Sequence, residues 1–149
     1  MVTIGGLMGG AVLLIGSRGP ADDPDDPFRP APVVESMHQF MEYVFEPSYK
    51  QLKASLAAEP QEKADWKPVK GGSMVLAEGG NLLLLREPEE GDLKTWQDLS
   101  VAVRADAGQL YAAARERDYT AARSAYLAML KNCNACHREF ADGEHQLVP

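Results

Sequence analysis

The chain has 149 residues, 45% of them hydrophobic and 7% aromatic, with 22 acidic residues against 15 Lys and Arg and a formal net charge of −7. That length sets the expectation of one domain, and the low aromatic content suits a helical protein with a core of aliphatic side chains and alanine. The acidic balance argues against nucleic-acid binding and against polybasic attachment to a membrane surface. Its ordinary role is solubility, and any partner it favours is a basic one.

Residues 1–17 carry no charge, and Ile4–Ile15 form a Gly-, Leu- and Val-rich apolar run. The run has the length of a signal-peptide core and is short for a membrane span. No Lys or Arg precedes it, and Ser17-Arg18-Gly19 leads into Pro20 rather than into a clean cleavage site. The expectation is either a cleaved signal peptide or a retained N-terminal anchor that tethers the chain to a membrane. In both cases the chain is exported, to the periplasm or another extracytoplasmic space. Residues 18–32 hold Pro20, Pro24, Pro27, Pro30 and Pro32 together with Asp22, Asp23, Asp25 and Asp26. Such a segment stays extended and buries no core, so it reads as a tether. The folded domain is expected over residues 33–142, with 143–149 as a tail.

Within that domain no segment alternates with period two, and the apolar positions recur at three- and four-residue spacing, which predicts helices throughout. Helix one is expected over Val34–Ala58, with Val34, Met37, Met41, Phe45, Leu52 and Leu56 inward, and with Pro47 kinking or splitting it. Its residues Glu35, Glu42 and Glu46 read as a solvated face. Helix two is expected from Gln61 or Trp66 to Arg86, with Asp65 as its cap and Pro68 in its first turn. Gly71, Gly72, Gly79 and Gly80 make it poor in intrinsic propensity. They allow close approach of a flat cofactor or of a neighbouring helix, or else mark a helix held only by packing. Helix three is expected over Leu93–Arg115, capped by Asp92 or at Thr95, with Trp96, Leu99, Val103, Leu110 and Ala114 on one face. Helix four starts after Asp118 and runs Tyr119–Phe140, with Gly143 as its stop. Four helices with short connections predict an all-α, antiparallel up-down four-helix bundle.

Helix four ends in Cys133-Asn134-Ala135-Cys136-His137, a C-x-x-C-H sequence. The pattern is that of covalent haem attachment, in which two thiols add across the porphyrin vinyl groups and the next histidine binds the iron. On a helix the three side chains fall on or near one face, because residues three and four apart are neighbours. The rival readings are weaker. These are the only two cysteines, and His38 and His145 form no spaced pair with which to complete a zinc site. Nothing around the motif has the strand pattern of a thioredoxin-like pair. No Ser-His-Asp order and no phosphate loop occurs, so an electron carrier is expected rather than an enzyme.

With this motif at the end of the last helix, preceded by Ala125-Tyr126-Leu127, the region over residues 34–141 resembles the cytochrome c-prime and cytochrome c-556 group. The resemblance implies a four-helix bundle with one haem c bound through Cys133 and Cys136 near the C-terminus. It gives His137 the role of proximal iron ligand, and it implies association into homodimers. It also puts the sixth iron position opposite the start of helix one. Within Ser36–Phe45 the candidates are Met41 and, second, His38. A methionine there makes a six-coordinate carrier of single electrons that serves redox partner proteins. A second histidine makes a bis-histidine haem, and an apolar non-ligating residue leaves a five-coordinate site open to nitric oxide or carbon monoxide. Lys131 and Arg138 flank the motif as candidate contacts for the haem propionates, or as cations complementing the helix dipole. Trp66 and Trp96 read as core or loop anchors.

Overall fold

The structure is a computed structural model and describes residues 29–149; the expected export segment and most of the expected tether lie outside the described residues. Residues 29–36 are exposed and non-helical. Four helices follow, and no strand occurs among the described residues. Helix α1 is composite, built of α-helical Met37–Phe40, a π-helical turn Met41–Phe45 and α-helical Glu46–Ser55. Helix α2 spans Trp66–Leu83, α3 spans Leu93–Glu116 and α4 spans Tyr119–Phe140. None of them is long and apolar enough to cross a membrane.

The helix starts follow from local chemistry. Ser36 accepts from Gln39 N, Asp92 from Thr95 N at 2.8 Å and Asp118 from Ala121 N at 2.9 Å, each satisfying an amide that the helix leaves free. Asp65 acts differently from expectation. Its carboxylate faces backward and accepts from Gln61 N and Glu62 N, so it closes the preceding turn rather than capping α2. Arg117 ends α3 in the left-handed region at φ 60.

Pro47 neither breaks α1 nor kinks it apart. The turn ahead of it widens, and Glu46 N reaches back five residues to Met41 O. A proline ring collides with the carbonyl four residues earlier, here that of Tyr43, and a π turn draws that carbonyl aside. One extra residue in a turn rotates the upstream segment by about 100° relative to a regular helix. This explains why Phe40, which the regular spacing leaves outside, is buried, whereas Val34 is exposed because it precedes the helix.

The glycines of α2 resolve individually. An added Cβ at Gly80 would lie 2.8 Å from Arg104 Cβ and 3.0 Å from its Cα, so this glycine lets α3 come close. Gly79 faces the Phe45 ring and Gly72 the Leu52 side chain, whereas Gly71 faces open space. Leu83 is buried, Leu82 and Leu85 are exposed, and the helix ends between them.

Helix α2 packs on α1 and α3, and α3 packs on α4, but no Cα of α1 comes within 8 Å of a Cα of α4. The interior is filled at one end, where Leu52, Leu56, Trp66, Val69, Leu110, Ala114, Ala122 and Tyr126 form a continuous core. At the other end a smaller cluster of Phe40, Leu83 and Trp96 stands beside the space left between α1 and α4.

Candidate functional site

The space between α1 and α4 is a cavity of about 1290 Å³. That exceeds the roughly 300–1,000 Å³ usual for small-ligand sites. Its wall is apolar in depth, with Leu76, Leu83, Trp96, Val103, Met129 and Leu130. Cys133, Cys136 and His137 line it from α4, and Met37, Met41 and Phe45 line it from α1. The reason is one of register. The buried face of α4 runs Ala122, Tyr126, Met129 and continues one turn later to Cys133 and Cys136. Where the core ends, the same face meets the cavity instead of another helix.

Both thiols are free and partly buried. Burial, with Cys136 close by, pushes the Cys133 thiol up to about 12, and burial pushes Cys136 up to about 11. A thioredoxin-like pair needs the opposite shift, toward the anion. Neutral thiols in an apolar wall suit thioether formation, which adds S–H across a double bond and leaves no charge behind.

His137 Nδ1 lies 2.9 Å from the backbone carbonyl of His145. With Nδ1 protonated and donating there, the lone pair is on Nε2, which has no hydrogen-bond partner among the described residues. Burial holds the imidazole below its ordinary value, favouring the neutral form that binds a metal. An imidazole so fixed by a carbonyl is the usual arrangement of a metal-binding histidine. Two neutral thiols, a tautomer-fixed imidazole and an apolar cavity therefore fit a c-type haem.

The two distal candidates differ. Met41 is half-buried, and it belongs, with Cys136 and Phe140, to the side chains packed on the Phe40–Leu83–Trp96 cluster. The His38 side chain is 79% exposed and lies 3.9 Å from Glu42. Both line the cavity, His38 at its rim and Met41 on its apolar wall.

Other residues occupy places that the sequence did not signal. Among the described residues, Arg86 is the one Lys or Arg on the cavity wall. Its guanidinium donates to Leu82 O and Val34 O and stacks 4.0 Å above the Phe40 ring, while its Nε is buried without a partner. Lys131 and Arg138 are exposed, and Arg138 faces Gln146 instead. Trp66 sits in the filled core, whereas Trp96 lines the cavity, donates to Leu83 O and meets Phe140 edge-on at 5.2 Å. Gly91, at φ +94, lets that Phe140 ring come within 2.8 Å of where a Cβ would stand.

The residues expected as a tail pack on the domain. Asn134 Oδ1 accepts from Leu147 N at 2.7 Å and Asn134 Nδ2 donates to Leu147 O at 2.9 Å. Tyr49 on α1 donates to Val148 O at 2.7 Å and accepts from Val148 N at 3.2 Å.

No protein-family model, curated protein or solved structure matches the chain. The described residues form an all-helical fold of four helices.

Proposed function

We propose that the chain is a monohaem c-type cytochrome of the c-prime or c-556 kind, which carries single electrons in an extracytoplasmic redox chain. The observation that carries this reading is the convergence of Cys133, Cys136 and His137 on one cavity, with His137 held through Nδ1 so that Nε2 is free. In this reading the helices run up and down in antiparallel order, which sets the start of α1 across the cavity from the end of α4. The haem, when bound, supplies an iron that cycles between ferric and ferrous by one electron.

Each protein group has a defined task. Cys133 and Cys136 fix the porphyrin as thioethers, so the cofactor stays bound in both redox states. His137 would bind the iron through Nε2. Met41, on the apolar wall, is the better placed donor from the other, because His38 lies out in solvent. Histidine opposite methionine raises the reduction potential relative to two histidines. The apolar wall excludes water, which limits the rearrangement that accompanies a change of charge. Redox partners meet a protein whose cavity rim carries Glu35, Glu42, Glu87, Glu89 and Glu90, a pattern that favours basic surfaces.

The test is production of the full chain together with a haem-maturation system, followed by intact mass and absorption spectra. One covalent haem is expected, and it is expected to be absent from the Cys133→Ser, Cys136→Ser double variant. A wild-type protein without covalent haem refutes the reading. Haem that is attached but high-spin in both oxidation states, with rapid carbon monoxide binding, refutes the electron-carrier role and identifies a gas-binding protein.

A further inference from the structure

We infer that residues Gly143–Pro149 act as a positioning strap for His137 and that Asn134 and Tyr49 are its anchors. The inference rests on the haem reading above. Four observations carry it. The His145 carbonyl is the acceptor at His137 Nδ1. His145 is held at φ 56, a left-handed backbone that residues with a side chain adopt uncommonly. Leu147 and Val148, two and three residues further on, are held in place. Asn134 clasps both backbone polar groups of Leu147, and Tyr49 clasps both backbone polar groups of Val148. The Leu147 side chain packs on the main core, so the clasped segment is also seated by an apolar contact.

The geometry has a consequence beyond stability. Helices α1 and α4 do not approach each other at the backbone level, and the strap bonds to both. Asn134 is the residue just after Cys133, so the motif itself grips the segment that orients its histidine. Tyr49 lies two turns along α1 from Met41, so the same segment connects the proximal ligand to the helix that carries the distal candidate. Asn134 and Tyr49 touch neither iron nor thiol. They are positioning residues that act through the His145 carbonyl. A carbonyl held against Nδ1–H strengthens electron donation from Nε2 and so stabilises the ferric state. Losing such a partner typically weakens a histidine's hold on its metal by about 10–100-fold.

The experiment uses the haem-loaded full chain, labelled with 15N at histidine and reduced. Its readouts are the solvent exchange rate of the His137 Nδ1–H and the midpoint potential. In the wild type that proton is expected to exchange slowly. Asn134→Ala and Tyr49→Phe are expected to keep covalent haem, to speed exchange at least tenfold and to raise the potential. His145→Asn retains the carbonyl and tolerates a positive φ, so it is expected to leave both readouts unchanged. Unaltered exchange and potential in a haem-loaded Asn134→Ala or Tyr49→Phe protein overturns the strap while leaving the haem reading intact. A wild-type His137 Nδ1–H that exchanges as fast as free imidazole overturns it however the variants fold. Absence of covalent haem from the wild type defeats the haem reading itself, and the strap with it.

Discussion

Alanine at Gly71 and alanine at Gly80 are the same substitution in the same helix, and opposite effects are expected. At Gly71 nothing lies within 4 Å of the new Cβ, so only the backbone matters. Gly-to-Ala in an exposed helix interior gains about 1 kcal/mol. At Gly80 the Cβ arrives 2.8 Å from Arg104 Cβ, 3.0 Å from its Cα and 3.1 Å from its amide nitrogen. Carbon atoms prefer about 3.5–4.0 Å, and two of these three neighbours are backbone, so α3 itself has to retreat by several tenths of an ångström. Overpacking of that kind costs about 1–3 kcal/mol, which cancels or outweighs the propensity gain and separates the two variants by about 1–3 kcal/mol. Urea unfolding monitored by far-UV circular dichroism measures the difference, provided the slopes agree. Gly79→Ala belongs to the same series but strikes the Phe45 ring at 3.0 Å rather than backbone. Phe45 also lines the cavity, so its effect is expected in the haem spectrum more than in the midpoint of unfolding. A Gly80→Ala protein as stable as Gly71→Ala, within about 0.5 kcal/mol, would mean that α2 and α3 are not in backbone contact there.

Three further outcomes are expected. Met41→Ala should open the sixth iron position, giving high-spin spectra and carbon monoxide binding, while His38→Ala should leave the spectrum unchanged; the reverse pattern refutes the distal assignment. Tyr126 is fully buried, its hydroxyl has no partner among the described residues, and burial pushes its phenol from 10.0 up to about 12. Above pH 10 the unfolded chain gives up this proton first and binds fewer protons than the fold, so stability is intact below pH 10 and declines from there toward pH 12. Tyr126→Phe should flatten that decline in the haem-loaded protein, where Cys133 and Cys136 no longer titrate, and at neutral pH it should be neutral or stabilising by about 1 kcal/mol, since an orphaned buried hydroxyl is removed. Urea melts at pH 8 and pH 11 check both statements, and an equally steep alkaline loss in the Phe variant refutes the first. Pro47→Ala should let the Met41–Phe45 turn relax to α-helical pitch and turn Met41 away from the cavity, which a shift of the midpoint potential toward that of Met41→Ala would register.

The parts of this molecule that could be read from the chain are those whose chemistry is local. Asp92 and Asp118 announce helix starts because a cap bonds an amide three residues away. Cys133, Cys136 and His137 announce one site because helical geometry alone puts them on one face. Asp65 has the same chemistry but bonds backward, since a carboxylate between two candidate turns bonds whichever amides come nearer. The wide turn of α1 is harder to see. Pro47 declares a conflict but not its resolution, and the resolution brings Phe40 onto the buried face.

The remaining features depend on partners far along the chain. Val148 meets Tyr49 across 99 positions, and Arg86 meets Val34 across 52. A seven-residue ending of mixed polarity has no periodicity to betray a docked conformation, so it read as a tail. Yet under the proposed haem reading the demand it meets was present in the motif from the start. A metal-binding imidazole needs an acceptor for its second nitrogen, and within α4 the backbone carbonyls are already bonded in the helix or turned toward the C-terminus. The acceptor therefore had to come from chain beyond the helix or from another element. Gly143 at φ +76, where α4 has ended and the chain turns, sends the backbone along the route that leads the His145 carbonyl to His137. The apparent tail is thus explained by an unmet requirement of the site rather than by any pattern of its own.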